Sequence, residues 1–228
     1  LRVGLLGSGG IMTADELRNA MDDDKAFQSK RKALVFVALL LLALVVSGAQ
    51  IKEANTFIFK IEFANHAGLQ YLLFLSVLLC AVRYYSYSER YHNQLFRIWS
   101  GRLLADYRVY RVDREAGEID GLLGKCLHVH GFDYDIANPV YRKSGFMKRS
   151  VGLDTSTEHE GEEYYYTDYF DLCAFGPSWS VKDFRKLLLW EVKYRLQAWV
   201  KYRETLDLAS PYLLAAISVF SFLVASFY

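Results

Sequence analysis

Three long stretches without a single charged side chain constrain this chain more than any other feature. The first, residues 33–51, reads ALVFVALLLLALVVSGAQI, with Ser47 and Gln50 as its only polar side chains. At ~1.5 Å rise per residue a helix of that length reaches roughly 28 Å, close to the hydrocarbon thickness of a bilayer. The second, 68–82, is shorter and ends at Arg83, but Tyr84, Tyr85, Tyr87 and Tyr91 follow it. Tyrosines suit the headgroup layer and extend that span to about residue 84. The third, 211–228, is uncharged throughout. A soluble helix needs a wet face, and these stretches offer none. The expected fold class is membrane α-helical: three transmembrane helices (33–51, 68–84 and 211–228), long juxtamembrane helices and a small α+β cytoplasmic domain.

Charge placement sets the expected orientation. Lys25, Lys30, Arg31 and Lys32 crowd the entry to the first span. In the connection 52–67, Lys52 and Lys60 are balanced by Glu53 and Glu62. Arg83, Arg90, Arg97 and Arg102 follow the second span, and Arg185, Lys186, Lys193, Arg195, Lys201 and Arg203 precede the third. The basic excess lies on one side, so residues 1–32 and 85–207 are expected in the cytoplasm of a multi-pass inner-membrane protein. The C-terminus is then external or periplasmic. The same basic residues suit anionic lipid headgroups.

A net charge of +1 gives no global basic field, so no directly bound nucleic acid is expected. Cys80 lies in an apolar stretch. Cys126 and Cys173 lack the spacing of a zinc site, and the orientation assigns both to a reducing compartment, although sequence leaves a disulfide between them open. GLLGSGG near the N-terminus is not followed by the βαβ unit that a dinucleotide-binding turn requires, and reads as a flexible leader.

Between the spans the pattern is legible in pieces. Thr13 and Glu16 form a capping box that opens a short helix through about Lys25. The external segment 54–63, ANTFIFKIEF, alternates enough for a strand or hairpin with Phe57, Phe59, Ile61 and Phe63 on one face. Residues 84–112 read as a helix continuing the second span. Residues 117–180 read as α+β, with β-prone runs at 125–129, 140–142 and 164–170. From 181 to 206 a helix is expected, capped by Ser178 or Ser180, with Leu188, Val192, Leu196, Trp199 and Tyr202 as its apolar stripe. Ser210 then reads as a cap and Pro211 as the first residue of a new helix, so Ser210 and Pro211 are the candidate hinge.

Candidate sites are few. His128 and His130, two apart on an extended chain, share a face and could hold a metal with Asp133, but a polar strand and turn is the preferred reading and no metal is expected. The segment 154–171 carries seven acids and no Lys or Arg, and Glu160, Glu162 and Glu163 adjoin Tyr164, Tyr165 and Tyr166. That combination suits a face that binds a cytoplasmic protein partner. No catalytic motif and no cofactor fingerprint is present, so neither an enzyme nor a cofactor is expected. No span carries an ionisable residue at depth, which argues against a proton-driven transporter.

With its short aromatic outer segment and the VRYY exit at 82–85, the layout resembles small bacterial inner-membrane sensor and effector proteins of defence and toxin-type operons. The resemblance is one of layout and includes no diagnostic motif. It implies a homo-oligomer in the bilayer whose cytoplasmic domain binds a partner protein or ligand and signals to the spans, in a setting such as phage defence. Two alternatives stand beside it: a pore-forming effector that depolarises the cell, and a membrane-anchored enzyme with its site near His128–Asp135.

Overall fold

The computed structural model describes residues 12–48, 53–55, 60–62, 66–113, 115, 118–127, 139–145, 148–159 and 162–227. Among them are five α-helices and three small antiparallel sheets, arranged in two compact units: Met12–Leu95 with Tyr202–Tyr228, and Phe96–Lys201.

The first unit is helical. Helix α1 (Ala14–Asp23) begins with the expected capping box: Glu16 N–H donates to Thr13 Oγ1 at 3.3 Å, and Thr13 N–H donates to Glu16 Oε2 at 2.8 Å. The chain does not stay helical into Lys25. Asp24 is extended and caps α2 (Lys25–Ser47), its Oδ1 accepting from the N–H groups of Ala26 and Phe27. Two three-residue strands, β1 (Glu53–Asn55) and β2 (Lys60–Glu62), pair antiparallel within the segment where the alternation predicts a strand or hairpin. Helix α3 (His66–Leu104) carries the second apolar stretch and continues without a break for 39 residues. Helix α5 (Arg203–Phe227) carries the third.

Among the described residues two helices, not three, are long and apolar enough to cross a membrane: α3 and α5. The reason lies at the end of α2. Gly48 adopts a left-handed conformation (φ 62°) and closes the helix there, so the uncharged helical run is 33–47. Fifteen residues reach only about 22 Å.

The start of α2, the middle of α3 and the start of α5 meet in a polar layer. Arg31 on α2 pairs with Asp207 on α5 at 2.9 Å. Tyr84 on α3 donates to the Leu208 carbonyl at 3.2 Å, and Ser88 bonds the Tyr212 hydroxyl at 2.8 Å. Arg90 pairs with Asp24, which also accepts from Tyr91 at 2.9 Å. Phe27 packs on both Tyr84 and Tyr91. At the other end, Phe222 near the end of α5 packs on Tyr71 and Phe74 near the start of α3. Between these levels α2 and α5 pack closely, Leu34, Ala38, Leu41 and Leu44 facing Leu208, Pro211, Ala215 and Ser218. The small residues on α5 allow that approach.

Pro211 is inside α5 rather than at its start, and Ser210 is an exposed residue of the same helix. The expected helix boundary there is corrected to Tyr202, the single non-helical residue after α4 (Val181–Lys201). Proline lacks an N–H, so the Asp207 carbonyl loses its usual helical donor. The neighbouring Leu208 carbonyl receives the Tyr84 hydroxyl.

The second unit is mixed. Strands β3 (Arg111–Asp113) and β4 (Glu118–Asp120) form a small hairpin, and Leu123–Lys125 form a turn of 3₁₀ helix where a strand over 125–129 was expected. Gly124 explains the turn: a Cβ there would lie 2.0 Å from the Ile119 carbonyl oxygen. Strands β5 (Val140–Ser144), β6 (Lys148–His159) and β7 (Glu162–Asp171) form one antiparallel sheet in that order. Its apolar core includes Val151, Leu153, Leu172, Trp179 and Leu187, and the Trp179 indole N–H donates to the Leu172 carbonyl at 2.9 Å. Helix α4 is capped by Ser180, whose Oγ accepts from Asp183 N–H at 3.3 Å.

Candidate functional site

The expected partner-binding segment is the tip and second strand of a hairpin. Ten register pairs join β6 to β7, from Ser150–Asp171 to His159–Glu162. Glu162 and Glu163 open β7, and Glu160 lies outside the described residues. Residues Tyr164 and Tyr166 expose half their surface (50% and 51%) and share a face, paired with Thr157 and Thr155. Tyr165, paired with Ser156, falls at the alternate register position. The strand period therefore splits the three consecutive tyrosines between two faces. Near the base, Tyr169 lies over Gly152, where a Cβ would come within 2.8 Å of the ring. The Arg142 guanidinium covers Tyr169 from β5 at 5.4 Å.

The acids of this segment are partly engaged within it. Thr167 donates to Asp154 at 2.7 Å, and Asp171 accepts from Cys173 N–H at 2.8 Å. The basic residues just before the hairpin do not all answer these acids, because Arg149 turns inward to Glu191 on α4. Arg149 Nε donates to Glu191 Oε2 at 2.8 Å and its Nη2 to Oε1 at 3.1 Å, a two-point pair with both side chains almost fully buried. The Tyr141 hydroxyl donates to Oε2 at 3.0 Å, and Arg195 pairs with Oε1 at 2.6 Å. Burial alone would raise the Glu191 carboxyl. The hydrogen bonds and charges of Arg149 and Arg195, helped by Tyr141, outweigh it and hold the group below the usual carboxylate range. Lys143, opposite Arg149 in the register, is lowered by burial and then by Arg195 and Arg149.

Sequence reading missed this network, since its members are far apart in the chain. One signal was available. Glu191 falls on the helical repeat of Phe184, Leu187 and Ala198, the face of α4 that is buried. The expected stripe of Leu188, Val192, Leu196, Trp199 and Tyr202 is not that face: Val192, Leu196 and Trp199 are exposed.

The weak metal candidates His128, His130 and Asp133 lie outside the described residues, and among the described residues no group of three potential ligands gathers. No disulfide joins Cys126 to Cys173, and burial pushes the Cys126 thiol up to about 12. Of the hinge pair, Pro211 is buried and Ser210 exposed within α5. Compared with known families, curated proteins and solved structures, the chain finds no match.

Proposed function

We propose that this chain is an oligomeric inner-membrane protein whose mixed unit, on the cytoplasmic side, binds a partner protein or ligand and passes that event to its membrane helices. The observation that carries this reading is the polar layer Arg31–Asp207, Tyr84–Leu208 and Asp24–Arg90. It joins the start of α2, the middle of α3 and the start of α5 at one level, with their apolar stretches extending from it. That common level, with the apolar stretches of α3 and α5 running away from it, supports two membrane helices that end at one interface. The apolar stretches of α3 and α5 are only 11% and 28% buried, unlike the core helices of a soluble protein, which supports a lipid surrounding.

Signalling would run through α3, which continues unbroken from the apolar stretch into the residues of the mixed unit, and through α4 and α5 across Tyr202 and the Ser210–Pro211 segment. The exposed tyrosines of β7 would be the binding face. Defence against phage is the setting suggested by the layout.

The test is purification of the full chain from native membranes, wild type against Tyr164→Ser/Tyr166→Ser. A protein retained by the wild type and lost by the double variant supports the reading, and equal recovery removes the hairpin as the binding face. Rapid collapse of the membrane potential on expression would instead favour a pore.

A further inference from the structure

Helix α4 has a second apolar face that its own unit leaves uncovered. Phe184, Leu187, Glu191 and Ala198 are buried, whereas Leu189, Val192, Leu196, Trp199 and Val200 are exposed, Leu189 by 70% and Val200 by 88%. At helical spacing these five residues gather on the side opposite the buried one. Leu189, Val192, Leu196 and Val200 line a shallow apolar groove of about 480 Å³ with Lys193, Gln197 and Lys201, and Trp199 lies on the same side of the helix.

We infer that this face of α4 is a binding surface for anionic lipid headgroups, lying in the inner leaflet's interface. Three observations select lipid over another occupant. First, the rim is basic: Lys182, Lys186, Lys193 and Lys201 are exposed along the helix, as is Arg185. The two carboxylates of α4 do not offset them, because Glu191 is buried on Arg149 and Asp183 is held by Lys125 at 2.8 Å. A second copy of so basic a face would repel it, whereas a negatively charged leaflet attracts it. Second, α4 ends one residue before α5, so a lipid-embedded α5 tethers its C-terminal end at the interface. Third, Trp199 is 40% exposed on this face and Trp190, under the Lys193 ammonium at 4.2 Å, lies at its edge. Tryptophan beside lysine over an apolar stripe is the composition of interfacial helices.

The inference rests on the proposal that α5 is in lipid, and the experiment separates the two. The full chain, its native cysteines replaced, carries one fluorescent label at Leu189→Cys, Val200→Cys, Phe220→Cys in α5, or Tyr169→Cys on the hairpin. Each variant is reconstituted in bilayer discs with or without phosphatidylserine, and quenching by brominated lipid is read. Quenching at 189 and 200 at least about twofold above that at 169, dependent on phosphatidylserine and lost in Lys186→Glu/Lys193→Glu/Lys201→Glu, is the expected result. No excess quenching at 189 and 200 while 220 is quenched overturns the lipid surface alone. An absence of quenching at 220 as well overturns the membrane reading with it. Disulfide-linked dimers of the unlabelled Val200→Cys variant on mild oxidation, with no quenching of the labelled one, would identify a second copy as the occupant and overturn the inference.

Discussion

Glu191 occupies a position on α4 where the helical repeat calls for an apolar residue, and its neighbours account for the carboxylate. Arg149 satisfies both oxygens, Tyr141 donates a third hydrogen bond, and Arg195 supplies a second cation. Removing one partner would leave the other charge buried without compensation, which costs roughly 3–5 kcal/mol. Arg149→Met is therefore expected to lower the unfolding midpoint of the full chain in detergent strongly, and Arg149→Met/Glu191→Leu to recover most of the loss. The pH dependence has a definite sign. The folded Glu191 carboxyl lies below its ordinary value, so its stabilising contribution is complete above the unfolded value of ~4.3 and is lost as pH falls through the folded one. The wild type should lose stability over that acid window, and the double variant should lose less. Equal acid sensitivity of the two would remove the network as the cause.

At the scale of elements, close approach of backbone decides more than propensity. The turn Leu123–Lys125 exists because Gly124 lies against the Ile119 carbonyl, where any side chain would collide with backbone. Gly145 also turns the chain, at φ 79°, but faces open space. Gly145→Ala should thus cost only the left-handed backbone penalty, about 1 kcal/mol. Gly124→Ala should cost clearly more and loosen the 3₁₀ turn, read as faster amide exchange at Cys126 and Leu127. Similar losses for the two would mean that the chain yields easily around Ile119. The helix boundary at Tyr202 follows the same logic of context over local signal. Ser210 and Pro211 make a good helix start in isolation, yet α5 has already begun at Arg203 and its buried face runs through Leu208 and Pro211 to Ala215.

For the whole molecule the decisive question is what surrounds the exposed apolar surface of α3 and α5. Leu79 is 70% exposed and Phe220 68%. On a water-facing surface a change to arginine alters stability by only about 0.5 kcal/mol. In lipid the same change costs ~2.5–3.5 kcal/mol near mid-span. Leu79→Arg and Phe220→Arg are expected to reduce the fraction of protein retained in carbonate-washed membranes, whereas Tyr169→Arg on the mixed unit should not. Unchanged retention of all three variants would mean that water, or another protein, covers those faces.

The uninterrupted apolar runs were legible by themselves, because hydrophobicity sustained over many residues needs no tertiary partner to be recognised. The same holds for the Thr13–Glu16 box, for a cap at Ser178 or Ser180 and for strands at 140–142 and 164–170, which the structure extends to Val140–Ser144 and Glu162–Asp171, since donors, acceptors or alternation are local there. Where helices stop and which face they bury was decided elsewhere. Gly48 takes a left-handed turn and shortens α2, Tyr202 interrupts a run that reads as helix, and α4 buries Glu191 while leaving Val192 and Leu196 outside. The burial of Glu191 depends on Arg149, a group distant in the chain, and an energy set by such a partner leaves no local periodicity to read.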